Sequence, residues 1–102
     1  MNNNIRVQFV KIPVSESLNT YIENKVSTLI EHYPFIKSGT VFIKKELKNI
    51  ERECVCELEL HVPGKQLFAS SNERHFEAAV KETIKQMTHQ LKRTKETVFV
   101  RH

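Results

Sequence analysis

Apolar positions recur along this chain with two different periods. Ile5, Val7 and Phe9 alternate with Arg6 and Gln8, the period of a strand with one buried face. Pro13 ends that pattern. Leu18, Tyr21, Ile22, Val26, Leu29, Ile30 and Tyr33 then follow helical spacing and trace one core-facing stripe. Ser15 is placed to cap this helix, with Glu16 at the positive end of its dipole. Pro34 stops it at or near Tyr33, because the residue before proline is pushed out of helical geometry. After the Lys37-Ser38-Gly39 turn, Val41-Phe42-Ile43 opens a second strand that continues toward Leu47. The polar stretch Lys48 to Glu53 reads as a hairpin loop.

The third strand is the clearest. Cys54, Cys56, Leu58, Leu60 and Val62 fall on one face, and Val55, Glu57, Glu59 and His61 on the other. Pro63-Gly64 is a strong turn signal, so Lys65 to Ser70 is expected to return as a fourth strand. Ser70 with Glu73 three residues later matches a capping box, and Asn72 is a rival cap. A long helix follows to about Lys95, with apolar positions at Phe76, Ala79, Val80, Ile84, Met87 and Leu91. The order is βαβββα. Its short hairpins make the last three strands antiparallel neighbours. Both helices must cover the one apolar sheet face. The fold class is therefore α+β, a two-layer sandwich of a four-stranded sheet with two helices on one side. Residues 1–96 form a single domain. The tail 97–102, apolar at Val98-Phe99-Val100, is compatible with an edge strand, a segment folded back on the core, or disorder.

A second series runs along the last helix. Arg74, Lys81, Lys85, Thr88, Lys92 and Lys95 are spaced by sevens, fours and threes, on a different side from the apolar stripe. Between Lys81 and Lys95, five cations (Lys81, Lys85, Lys92, Arg93, Lys95) stand against Glu82 and leave +4, which is also the net charge of the whole chain. Everything outside this window therefore sums to zero. A lysine row is also what an ordinary solvated helix face looks like. As a binding surface it suits phosphate, whose oxygens accept from lysine and arginine without base-specific geometry. An anionic membrane surface fits less well, since the apolar face has a single aromatic, Phe76, and is needed for the core.

Composition removes several other classes. A chain of 102 residues is one domain, with the apolar and charged fractions of a soluble globular protein. No run approaches the roughly 20 apolar residues that span a membrane. The N-terminus Met1-Asn2-Asn3-Asn4-Ile5-Arg6 lacks the apolar segment of a signal peptide, so a cytosolic, cytoplasmic location is expected. All twelve acids are glutamate. This absence of aspartate argues against two-carboxylate metal sites and aspartate-supported triads. Two glycines, Gly39 and Gly64, supply no phosphate-cradling loop. Cys54 and Cys56 share a strand face without the spacing of a redox or zinc motif, and are expected in the core. His32, His61, His75, His89 and His102 are scattered; His75 and His89 lie near the basic helix and would add charge at low pH. No nucleophile–base pair is evident. The expectation is no enzyme, no metal and no cofactor.

At this point the chain resembles the family of ribosome hibernation promoting factors, also called ribosome-associated translation inhibitors or sigma-54 modulation proteins. The resemblance runs from Ile5 to about Lys95. It rests on Ala69-Ser70, on Phe76-Glu77-Ala78-Ala79-Val80-Lys81, on Gln90-Leu91-Lys92-Arg93-Thr94-Lys95, and on Ile43-Lys44-Lys45-Glu46. It departs at Arg74-His75-Phe76, where members often carry Asp-Met-Tyr, and at His89, where arginine is frequent. The resemblance implies a stress or stationary-phase factor. Such a factor would bind the small ribosomal subunit and its rRNA in the mRNA and tRNA channel and inhibit translation. Lys81, Lys85, Lys92, Arg93 and Lys95 would be the principal RNA contacts, with Arg74, Lys44 and Lys45 as lesser ones. Ending at His102, the chain matches the short form. It would be a monomer off the ribosome, and pairing of ribosomes would need a separate partner protein. The alternative is a general double-stranded RNA-binding module, which shares the basic final helix.

Overall fold

The computed structural model describes residues 4–48 and 50–99. Its elements run β1 (Ile5–Phe9), α1 (Glu16–His32), β2 (Ser38–Lys45), a 3-10 turn (Ile50–Arg52), β3 (Cys54–Val62), β4 (Lys65–Glu73) and α2 (Phe76–Phe99). The expected βαβββα order holds. The four strands form one sheet in the order β1-β2-β3-β4. β1 and β2 are parallel, as a helical crossover requires. β2–β3 and β3–β4 are antiparallel hairpin pairs. Both helices pack on one face, and that face is apolar. Ile22, Ile43, Leu58, Leu60, Met87 and Leu91 are among the side chains sealed completely in the interface between the layers.

The first helix begins as expected. The Ser15 hydroxyl accepts from the Leu18 amide at 3.2 Å, which satisfies one of the free donors of the first turn. Tyr33 is its C-cap, one residue before Pro34.

Three boundaries differ from the sequence expectation. β2 starts at Ser38 and ends at Lys45, and Leu47 lies beyond it, 79% exposed. β4 continues three residues past Ser70. β3 offers nine partners, from Val62 opposite Lys65 to Cys54 opposite Glu73, and this ladder outcompetes the local capping code. Ser70, Asn72 and Glu73 are therefore strand residues, and no capping box forms. Asn72 instead donates to the Glu46 carboxylate at 2.8 Å. The helix opens at Phe76, with the His75 carbonyl accepting from Ala79 at 3.0 Å. At its far end α2 passes Lys95 and runs through Phe99, so the first three residues of the expected tail are helical. Residues 100–102 lie outside the described residues.

Three side chains are buried where the alternation and the apolar stripe alone do not require it. Val55 sits on the outer sheet face, yet it is only 3% exposed. The 3-10 turn packs back against β4. Thr83 and Thr94 are buried in the helix–sheet interface, each satisfied by a carbonyl: Thr83 donates to Cys56 at 3.3 Å and Thr94 to Gln90 at 2.9 Å. Position 39 needs glycine for space. A β-carbon there would lie 2.4 Å from Leu60 Cδ2 and 2.9 Å from the Glu59 carbonyl oxygen.

Candidate nucleic-acid interface

α2 is held by its buried side, and its opposite side is thereby fixed in solvent. Ala79, Val80, Thr83, Met87, Leu91 and Thr94 face the sheet and α1. Lys81, Lys85, Lys92 and Lys95 are all exposed. On a helix turning ~100° per residue, these four fall within about 80° of arc and span about 21 Å along the axis. Thr88 lies in the same arc and has turned inward, its hydroxyl donating to the Ile84 carbonyl at 2.8 Å. No carboxylate falls in that arc between Lys81 and Lys95; Glu82 is ~100° from Lys81. Among the described residues none of the four lysines makes an ion pair, the two such pairs being Lys44–Glu57 and Lys45–Glu53. Between Lys81 and Lys95 the ridge is a line of positive charge without an ion-paired carboxylate, with Glu77 and Glu96 flanking its two ends.

The other candidates are not brought into that line. Arg93 is exposed but sits ~120° around the helix from Lys81, on the flank toward β4. Arg74 precedes the helix instead of opening its stripe, and lines a separate cleft of about 410 Å³ with Lys45, Glu53, Cys54 and His75. Lys45 is paired there with Glu53 at 3.5 Å. Lys44 lies on the outer sheet face, 3.1 Å from Glu57. A paired cation is partly compensated by its neighbour, so Lys44 and Lys45 offer less free positive charge than the ridge lysines. His89 is exposed on the same flank as Arg93, about 80° from Lys81.

A groove between the two helices runs beside the ridge. It encloses about 390 Å³ and is lined by Lys25, Thr28, His32 and Tyr33 of α1 and its cap, with Ile84 and Thr88 of α2. The Lys25 ammonium lies 5.4 Å from the centre of the Tyr21 ring. The spacing of Lys25, Thr28 and His32 was a readable signal, since three and four residues apart they share one helix face.

The cysteines are structural. Both are free and buried. Burial pushes the Cys54 thiol up, with Lys45 pulling it back down, and its Sγ donates to the Arg74 carbonyl at 3.3 Å. Burial raises Cys56 more, to about 11, against the lowering effect of Thr83. Neither is an activated thiolate. No group of three or more metal-ligating side chains assembles among the described residues. No described helix is long and apolar enough to cross a membrane.

Residues 5–98 match the family described as sigma 54 modulation protein / S30EA ribosomal protein. The chain belongs to this family. It is therefore a member of a ribosome-associated group rather than of a known enzyme class. Two solved structures share the fold. A ribosomal subunit interface protein from Coxiella burnetii superposes with a TM-score of 0.79 at 15% identity, covering 89% of this chain and 96% of its own. The N-terminal domain of Protein Y from Thermus thermophilus gives 0.75 at 18% identity, covering 90% and 99%. No curated protein sequence matches the chain significantly. The expected family and the expected two-layer sandwich are thus both found.

Proposed function

We propose that this family member is a non-catalytic rRNA-binding factor that occupies the mRNA and tRNA channel of the small ribosomal subunit and silences translation under stress or in stationary phase. The observation that carries the reading is the acid-free ridge of Lys81, Lys85, Lys92 and Lys95 on a helix whose other side is locked into the core. Such a ridge gains affinity by releasing the counterions condensed on RNA, and it selects by shape because it carries no base-reading geometry. The name of the Coxiella relative, a ribosomal subunit interface protein, supports a ribosomal site of action. The factor acts in the cytoplasm, as a monomer off the ribosome. The exposed large apolar side chains among the described residues, Val14, Leu47 and Phe68, lie on three separate segments of the chain, and single exposed apolar side chains are ordinary on a monomer. Pairing of silenced ribosomes would fall to a separate partner protein.

A competition assay tests this reading. Labelled protein bound to small subunits is challenged with plain RNA duplex, and separately with mRNA and tRNA. Small subunits are expected to retain the protein against excess duplex and to release it to the channel's own ligands. Equal affinity for duplex and for subunits would replace the reading with that of a general double-stranded RNA-binding module.

A further inference from the structure

The charge of α2 does not end with its ridge. On the flank toward the sheet edge, the last turns of the helix and the start of β4 enclose a groove of about 290 Å³, lined by Lys65, Leu67, Gln90, Arg93, Thr94 and Thr97. None of these residues is acidic. Lys65 shares the helix-facing side of β4 with the buried Leu67 and Ala69, but it stands at the strand's first residue and is exposed. Arg93 is exposed on the opposite wall. Among the described residues neither cation makes an ion pair, since the pairs there are Lys44–Glu57 and Lys45–Glu53. The wall is fixed in place: Gln90 Nε2 donates to the Phe68 carbonyl at 2.7 Å, which ties α2 to the edge strand.

We infer that this groove holds a second line of RNA phosphates, so that the C-terminal half of α2 lies between two RNA backbones. The inference rests on the proposed docking to rRNA and adds a contact surface to it. Its geometry follows from the cylinder. Arg93 lies about 100° around the axis from Lys92, and at a side-chain radius of ~8 Å this arc separates the charges by roughly 12 Å, the full width of a helix. The ridge as a whole instead spans about 21 Å along the axis within about 80° of arc. A backbone that tracks the ridge therefore runs parallel to α2 and does not reach the groove. A second strand does. Strand addition by a protein partner is disfavoured at this edge. Gln90 already occupies the Phe68 carbonyl, and Lys65 stands at the start of the strand, where a charge blunts pairing. Two exposed cations without a carboxylate fit a polyanion instead.

Tethered cleavage tests the inference on the full chain. An iron chelate is attached to Lys65→Cys and, separately, to Lys85→Cys, and hydroxyl-radical cuts in rRNA are mapped on the bound small subunit. Cys54 and Cys56 are buried and leave the introduced thiol as the attachment point. The two probes are expected to cut rRNA segments that are not contiguous. Cuts in one shared segment, or cuts from position 85 with none from 65, would overturn the second track. In parallel, Lys65→Gln combined with Arg93→Gln is expected to lower the salt slope of subunit binding by about 1.8, the share of two phosphate contacts. An unchanged slope with unchanged melting temperature counts equally against it. The two readings fail differently. If the wild-type protein does not bind small subunits at all, the docking reading falls and the second track with it. If wild type binds and the Lys65 and Arg93 changes are silent, only the second track falls.

Discussion

Neutralising the middle of the ridge gives a measurement whose size can be worked out in advance. Lys85 and Lys92 are exposed, unpaired among the described residues and remote from the core side of α2, so Lys85→Gln with Lys92→Gln removes charge without removing packing. Exposed helix substitutions of this kind change stability by less than about 0.5 kcal/mol. If each ridge lysine neutralises one phosphate, four of them contribute a slope of about −3.6 to log affinity against log salt, and two contribute about −1.8. Raising salt fourfold, from about 50 to 200 mM, then costs the wild-type ridge roughly 150-fold in affinity and the double variant's ridge only about 12-fold. The assay is co-sedimentation with small subunits across a salt series, with the melting temperature recorded as a control. The signature is a shallower slope together with weaker binding at low salt. A variant that binds as tightly as wild type with the same slope would show that the ridge does not meet phosphates, and the site assignment would be wrong.

Three further outcomes follow from the packing and chemistry. Gly39→Ala places a β-carbon against the sealed Leu60 and the Glu59 carbonyl, which the β2–β3 ladder holds in place. Overpacking of this kind costs about 1 to 3 kcal/mol, so thermal unfolding should move down by several degrees or more, and an unchanged melting temperature would refute the tight approach. Cys56 keeps its proton in the folded chain up to about pH 11, whereas an unburied thiol loses it near 9.0. The stabilisation is complete below the lower value and is lost as pH rises through the upper one, amounting to roughly 2 to 3 kcal/mol. Denaturant titrations from pH 8 to 11 should show this decline for wild type and a flatter profile for Cys56→Ala; the same slope in both would place its origin elsewhere. In gradients of purified ribosomes with this protein alone, single ribosomes are expected to persist, and a large dimer peak would show that no partner is needed.

The elements were readable because each has one buried face, and a buried face imposes a period. Ile5-Val7-Phe9 and Cys54-Cys56-Leu58-Leu60-Val62 declared strands, and the stripes of both helices declared themselves in the same way. The end of β4 departs from the sequence expectation because Ser70 and Glu73 satisfy a local rule, while the stronger claim on them comes from β3, where Glu57, thirteen residues back, pairs with Ser70 and Cys54, nineteen residues back, pairs with Glu73. Val55 lies on the face that alternation assigns it, but alternation gives only the face and not whether that position is covered. The site was readable only as a sum. In a sequence, Lys44, Lys45, Lys65 and Lys85 each count as one positive charge. In the fold, Glu57 and Glu53 compensate the first two across the β2–β3 hairpin, Lys65 is carried to the mouth of a groove, and Lys85 stands unpaired on a ridge. A polyanion responds to the charge left after such pairing, because a cation already held by a carboxylate displaces fewer counterions when it meets a phosphate. The proposed interface is therefore narrower than the list of basic residues on one side, where Lys44 and Lys45 drop back, and wider on the other, where Lys65 joins Arg93.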